Sequence, residues 1–311
     1  MSIVLDGTNG ITTPTTTSTG EHVTSVTGFK NRIINGGMGI WQRGTTFTGI
    51  GPVYTADRFA LSITGITGTV TQSTDVPNVQ ALYSLKVVPA SNATPSEFVV
   101  RQWIEQQNII DFAGNTVIGS AWVKCSKTSI KFRCYPFNAI GGGDSTQTIT
   151  LVANTWTKIS CAFSSFSAVT AWTSTPNAGG GFLDIGFVDN TAVTTADSLY
   201  ITGVQLEKGS VATSFDYRPY GTELSLCQRY YQIGNIQQIG YIAASAPILV
   251  SETFPVVMRT VPTITPTFTY SINCSGGTVG GATTYNFYSY VIGTVTGGQQ
   301  YALNYTASSE L

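Results

Sequence analysis

The chain has 311 residues with 15 basic and 16 acidic side chains, one histidine and a formal net charge of −1. Charged residues are 10% of the total against a usual figure of about 25%, and no Lys/Arg cluster occurs, so nucleic acid is excluded as the main partner. The opening lacks a basic n-region, and no apolar run is long enough to span a bilayer, so neither a signal peptide nor membrane insertion is expected.

At this length two domains are expected, because single cores stop growing near this size. Ile3-Val4-Leu5 with Asp6-Gly7 and Asn9-Gly10 reads as a very short strand and turns, and residues 11–20 are a Thr/Pro/Ser run. Neither can make a core alone, which suggests an anchor segment over 1–30 that binds another protein. Asn35-Gly36-Gly37-Met38-Gly39 has the look of a phosphate-cradling loop but lacks the Lys-Ser/Thr and the following helix that phosphate binding needs. Phe59, Leu61 and Ile63 alternate on one side of a strand.

From Tyr83 the pattern gives strands over 83–88, 98–104, 117–125, 129–135, 146–151, 157–163 and 182–188, separated by Gly, Pro, Asn and Ser clusters, with only 109–112 hinting at a helical turn. Many short strands with almost no helical period argue for a β-sandwich or jelly roll. The turn Ser126-Lys127-Thr128 suggests a hairpin that would set Cys134 near Ser120. The five cysteines, at 125, 134, 161, 227 and 274, are odd in number and lack CxxC spacing, which reads as buried free thiols.

The stretch 199–231 gives three instructions in succession. Tyr200, Thr202, Val204 and Leu206 fall on one face of a strand, with Gln205 and Glu207 on the other. Phe215, Tyr217 and Pro219 then form an irregular aromatic segment that must cover something apolar, as a lid would. Thr222 can cap a short helix carrying Leu224, Cys227 and Tyr231, ended by Gly234. Beyond it, strands over 236–250, 254–258, 263–272, 283–292 and 300–306 form a smaller β-block in which Pro255, Pro262 and Pro266 belong on edges or bulges. Tyr285, Phe287, Tyr288 and Tyr290 place rings on both faces of one strand, which implies a second layer from a neighbouring subunit.

The expected architecture is therefore all-β: an N-terminal anchor (1–30), a jelly-roll β-sandwich (31–225), and a short helical hinge with a C-terminal β-domain (226–311). Catalysis is not expected. His22 is alone and lies in the Thr-rich leader, so a Ser-His-Asp or Cys-His apparatus and a zinc site are both rejected, and no cofactor is implied. Glu97, Glu105 and Asp111 are near in sequence but read as solvated carboxylates rather than an acid pair. Asp184, Asp189 and Asp197 flank one strand and could ligate calcium, but turn-forming roles suffice for them. Of the tryptophans, Trp103 and Trp156 sit in apolar strand settings and read as core. Trp172 lies in the loop 168–181 and is the candidate sugar-stacking platform.

Two segments carry a family resemblance. QLEKGSVATSFDYRPYGTELSLCQRYYQ at 205–232 resembles the closing segment of the jelly-roll domain in bacteriophage tail-fibre and related virion structural proteins, and NRIINGGMGIWQRGTTFT at 31–48 with YTADRF at 54–59 resembles its opening. MSIVLDGTNGITTPT is similar to phage fibre N-termini, and FPVVMRTVPTIT with ASSEL to their C-terminal β-region. The resemblance implies a homotrimeric tail fibre or head-surface fibre, assembled in the host cytoplasm and located in the virion. It would attach the particle to a host-surface polysaccharide and dock to other virion proteins through residues 1–30. A structural decoration or tail-adaptor subunit, and a small polysaccharide-degrading tailspike, are the alternatives.

Overall fold

The structure is a computed structural model that describes residues 4–6, 10–12, 29–77 and 81–311. The expected anchor over 1–30, including His22, lies almost wholly outside these residues; within it β1 (Val4–Asp6) pairs with β2 (Gly10–Thr12). The strands of the sandwich follow as β3 (Thr46–Gly49), β4 (Val53–Tyr54), β5 (Ala60–Ile63), β6 (Gly68–Ser73), β7 (Ser84–Pro89) and β8 (Glu97–Glu105). After the single-turn helix α1 (Gln106–Ile109) come β9 (Val117–Cys125), β10 (Ser129–Pro136), β11 (Ala139–Ile140), β12 (Ser145–Thr150) and β13 (Thr157–Phe163). Then β14 (Ala171–Trp172), β15 (Gly179–Val188) and β16 (Leu199–Lys208) complete it. Helix α2 (Tyr220–Gln228) leads into β17 (Tyr231–Ile242), β18 (Pro247–Thr253), β19 (Thr263–Ile272), β20 (Cys274–Gly280), β21 (Asn286–Gly293) and β22 (Gly297–Ser308).

The fold is a jelly-roll β-sandwich followed by a smaller β-domain, as expected. Sheet I has the order β12-β10-β15-β8-β5-β4 and sheet II the order β13-β9-β16-β7-β6-β3. Their inner faces enclose one apolar core that includes Phe98, Phe132, Phe163, Ile185 and Ile201. Phe132 from sheet I meets Phe163 from sheet II edge to face at 5.3 Å, the arrangement ring quadrupoles favour. Gly119 is required beneath them, because a Cβ there would lie 2.7 Å from Phe163 and 2.8 Å from Phe132. The C-terminal domain stacks β17-β22-β19 against β18-β21-β20 around Phe254, Phe287, Tyr301 and Leu303.

Four sequence expectations are corrected. β9 and β10 do not form a hairpin: β9 pairs with β13 and β16 in sheet II, and β10 with β12 and β15 in sheet I, so Cys134 opposes Ser145 and Leu183 while Ser120 opposes Ser160 and Gln205. The turn after Cys125 carries the chain across the sandwich instead. In β16 a bulge between Thr202 and Gln205, with Gly203 at φ +61°, reverses the alternation. Leu199 and Ile201 face the core before it and Val204 and Leu206 after it, so Tyr200 and Thr202 lie on the face opposite to Val204. The helix starts after Pro219 rather than at Thr222, and Tyr231 already belongs to the β17–β22 ladder, whose 12 paired residues outweigh one more helical turn. The boundary expected at 225/226 thus falls inside α2. Finally, the stretch 236–250 is split by a turn into β17 and β18, 254–258 is not a strand, and Tyr288 and Tyr290 share the outer face of β21, their rings 6.3 Å apart, rather than facing different layers. Pro266 does sit on an edge strand, β19.

The motif residues act as a clasp between the two ends of the sandwich. The Asn31 amide donates to Val204 O at 3.0 Å and its Oδ1 accepts from Leu206 N at 3.0 Å and Ile33 N at 2.9 Å. Gly36 accepts from Val204 N at 2.9 Å, and a Cβ on Gly36 would be 2.1 Å from Val204 O, so only glycine fits. Arg218 donates to Ile33 O at 3.2 Å, to Asn31 O and to Glu223 at 3.1 Å. The two domains are joined by a buried charge cluster. Arg58, 1% exposed, pairs with Glu310, donates to Trp103 O at 2.6 Å and lies 3.5 Å over the Tyr230 ring. Arg43 reaches Glu310 at 2.8 Å, and Arg259 donates to Ser309 O at 2.7 Å and Glu310 O at 2.8 Å. Among the described residues, no helix is long and apolar enough to cross a membrane.

Candidate functional site: two outer faces of the sandwich

Each sheet turns one face away from the core, and period-two alternation decides what stands there. On sheet I, Glu97, Arg101 and Trp103 of β8 point outward beside Phe182 and Asp184 of β15 and Arg133 and Tyr135 of β10. Asp184 is 1% exposed and is held by Arg101 through bonds of 2.8 and 2.9 Å and by Arg133 Nε at 2.8 Å. Glu97 Oε1 accepts from Nη2 of Arg101, at 2.8 Å, and from Nη2 of Arg133, the same groups that reach Asp184. Burial works to raise the Glu97 carboxyl, but Arg101, Ser62 and Arg133 together hold it below its ordinary value.

Those arginines also cover the rings. The Arg101 guanidinium lies 4.1 Å and that of Arg133 5.3 Å from the Phe182 centroid, and Trp103 packs edge-on to Phe182 at 4.9 Å and Phe137 at 5.3 Å. What stays open is a hollow of about 290 Å3 between Trp103, Phe137, Tyr54 and Leu311. Charges and aromatic faces on this sheet are thus largely spent on one another.

The outer face of sheet II carries the larger cavity, about 560 Å3. Its floor is Ser120, Trp122, Thr202, Gly203 and Lys158, and its roof is the irregular segment with Phe215 and Tyr217, whose rings meet at 4.8 Å. This is the lid expected from the sequence. It is pinned by the outward side chains of the QLE motif: Gln205 Oε1 accepts from Asp216 N at 2.8 Å, and Glu207 accepts from Thr213 N and Thr213 Oγ1, both at 2.8 Å. Alternation in β16 thus gives Leu206 to the core and its two polar neighbours to the lid. Asn35, Leu82, Asp216 and Glu223 complete the walls. Asp216 accepts from Asn31 N at 3.2 Å and Glu223 from Arg218 at 3.1 Å, so both wall carboxylates are engaged.

The residues singled out from sequence are placed as follows. Trp172 is not an open platform: β14 pairs with β11, and its half-buried ring packs on the core 6.2 Å from Phe166. The loop that carries it plugs one end of the sandwich through buried Phe166 and Val169. Trp103 and Trp156, expected in the core, stand half-buried on the outer faces of sheets I and II. Glu97, Glu105 and Asp111 are not brought together: Glu105 is buried against Arg229 at 3.0 Å, and Asp111 pairs at the surface with Arg32. Asp184 is a buried ion-pair partner rather than a turn residue, Asp197 does cap the turn at Thr194 at 2.7 Å, and Asp189 is exposed beside Lys131. No group of three or more metal-ligating side chains occurs among the described residues. Trp122 was missed from sequence, although core-facing Ala121 and Val123 place it with Ser120 and Lys124 on the polar face.

No protein-family model and no curated protein matches the chain. Among solved structures it is similar to the family 22 carbohydrate-binding module and glycoside hydrolase family 10 modules of Clostridium thermocellum xylanase 10B complexed with xylohexaose, at 16% identity and TM-score 0.33, over 50% of this chain and 26% of that one. The tailspike protein 4 enzymatically active domain of bacteriophage CBA120 matches at 13% identity and TM-score 0.32, over 58% of this chain and 22% of that one. The C-terminal family 22 carbohydrate-binding module of the same xylanase matches at 14% and 0.35, over 59% of this chain and 97% of that one. This chain therefore spans only about a quarter of the first two structures. At these scores the likeness assigns no ligand.

Proposed function

We propose that the chain is a non-catalytic glycan-binding subunit of a phage virion, a tail fibre or head-surface fibre, with its sugar site in the lidded cleft of sheet II. The observation that carries the glycan reading is the cleft itself. Trp122 on the floor faces Phe215 and Tyr217 in the roof across a cavity of about 560 Å3, and a rigid slot with aromatic walls and polar edges suits the apolar face and hydroxyl rim of a sugar ring. Binding rather than cleavage is supported by Glu97, Asp184, Asp216 and Glu223 being engaged by arginine or main chain and Asp75 by Lys124 and Trp156. The virion setting rests on the motifs at 31–59 and 205–232.

Assembly as a homotrimer through the C-terminal domain belongs to the same reading. It is supported by the exposed Ile233, Ile239 and Tyr241, which share the outer face of β17, an apolar strip of the kind that marks interfaces. Sedimentation at micromolar concentration tests it, and a stable monomer would contradict it. A structural decoration role without receptor is favoured by one fact: the motif residues Asn31, Gln205, Glu207 and Arg218 all serve the scaffold. A glycan array separates the two readings. The glycan reading expects signals from the wild type that vanish in Trp122→Ala, whereas an array without signals favours decoration.

A further inference from the structure

The cleft does not end at the lid. On the same outer face of sheet II, register aligns two neighbouring rows. In one, Lys86 of β7, Tyr200 of β16 and Lys124 of β9 are Cα partners across three strands; in the other, Thr202, Trp122 and Lys158 are partners across β16, β9 and β13. The bulge at Gly203 makes this possible, since it leaves Tyr200 and Thr202 outward while Val204 returns to the core. The amines of Lys86 and Lys124 lie 5.4 and 4.5 Å from the Tyr200 centroid, and Trp156 packs edge-on against that ring at 6.2 Å. Aromatic rings and ammonium groups therefore form one continuous track that opens into the lidded cavity.

The charges on this track are uneven. Asp75 is its neighbouring carboxylate, and it is occupied: it pairs with Lys124 and accepts from Trp156 Nε1 at 2.9 Å. Among the described residues neither Lys86 nor Lys158 has a carboxylate within ion-pair distance. Sheet geometry sets their Cα atoms roughly 16 Å apart, three strands across and two residues along. Lys86 lies near enough to Asp75 to help lower its carboxyl but forms no ion pair with it, so two ammonium groups without a paired carboxylate flank Trp122 and Tyr200, and one sugar ring cannot reach both.

We infer that this track binds an extended acidic oligosaccharide, a chain bearing carboxylates such as a hexuronate polymer, with a sugar ring stacked on Trp122, the chain running on past Tyr200, whose ring Lys124 and Lys86 cover, and carboxylates at Lys158 and Lys86. The inference rests on the glycan reading above and names its substrate class. Planar rings give stacking and the spaced ammonium groups select charge; the lid closes one end, so the chain lies along the face and enters the cavity by its terminus.

Calorimetric titration of the full chain with a galacturonate hexamer and with its carboxyl-reduced counterpart tests the inference. Lys158 is exposed and Lys86 half-buried, and together they contribute up to about tenfold in affinity, so the acidic hexamer binds about tenfold tighter than the reduced one, and the difference shrinks with added salt. Lys86→Gln combined with Lys158→Gln removes the roughly tenfold preference for the acidic hexamer over the reduced one, while Trp122→Ala abolishes binding of both. Equal binding of the two hexamers overturns the inference and leaves the glycan reading standing. Binding of neither overturns both. A single-stranded oligothymidylate that binds as tightly as the hexuronate, with the same dependence on Trp122, overturns it in favour of nucleic acid.

Discussion

Replacing Arg58 by Met should loosen the junction between the two β-domains. Arg58 is 1% exposed, Glu310 side-chain exposure is 7%, and the substitution deletes their ion pair, the bond to Trp103 O and the stacking on Tyr230. Breaking a buried pair on one side costs about 3–5 kcal/mol, most of it the uncompensated charge left behind. Arg43 still reaches Glu310 at 2.8 Å, so the lower end, about 3 kcal/mol, is expected. With an unfolding entropy of about 2.1 cal/mol/K per residue, a cooperative unit of this length would lose roughly 5 °C in Tm. Glu310→Gln alone leaves Arg58 without its carboxylate, while Arg43 keeps Asp57 at 3.7 Å, and should cost a similar amount. The double variant should cost less than the sum of the singles, because neither charge is then stranded. Near-UV circular dichroism during thermal and urea unfolding measures all three. Single variants that each lose under about 1 kcal/mol, or strictly additive losses, would refute the account of the junction.

Three further outcomes follow from named contacts. Gly36→Ala should cost about 3 kcal/mol, the upper end for overpacking, because its methyl would meet Val204 O and the backbone there is held by the clasp; urea midpoints check it. Burial pushes the Cys161 thiol up to about 12 and raises Cys125, Cys134 and Cys227 as well, so iodoacetamide at pH 8 should label these four only after unfolding, as read by mass spectrometry. For Asp75, slight burial works to raise the carboxyl, but Lys124 and Trp156 hold it below its ordinary value. Its folded pKa is depressed, so its contribution is present above about pH 4, the unfolded carboxylate range, and fades as pH falls through the lower folded value. The Asp75-linked part of the tryptophan emission, read as the difference between the wild type and Asp75→Asn, should therefore change only below about pH 4.

Much of the sandwich was legible because its strands obey local rules. The sandwich strands 117–125 and 157–163, like 263–272 in the C-terminal domain, coincide with the expected ranges, since apolar alternation bounded by turn residues is a local signal. Partnership was not. The run Cys125 to Ser129 looks like a hairpin turn, yet β9 finds its neighbours about 40 and about 80 residues away, a choice made by packing two sheets face to face and not by the turn. The bulge at Gly203 hid in the same way: a strict period of two put Tyr200 with Val204, and only the ladder to β9 shows the slip. Of the candidate site, the lid was readable from Phe215 and Tyr217, but its floor was not. Trp122 stood in plain alternation with Ala121 and Val123, whereas Trp172 drew notice for lying in a loop, and that loop folds inward through Phe166 and Val169. Position in a loop did not mean exposure here.

The central claim is that sugar is bound on the outer face of sheet II. A crystal structure of the full chain with the strongest ligand from the glycan array tests it most directly. The account predicts a sugar ring stacked on Trp122 beneath Phe215, with the next ring toward Tyr200. A ligand seated instead on sheet I, in the hollow between Trp103 and Phe137, would contradict it.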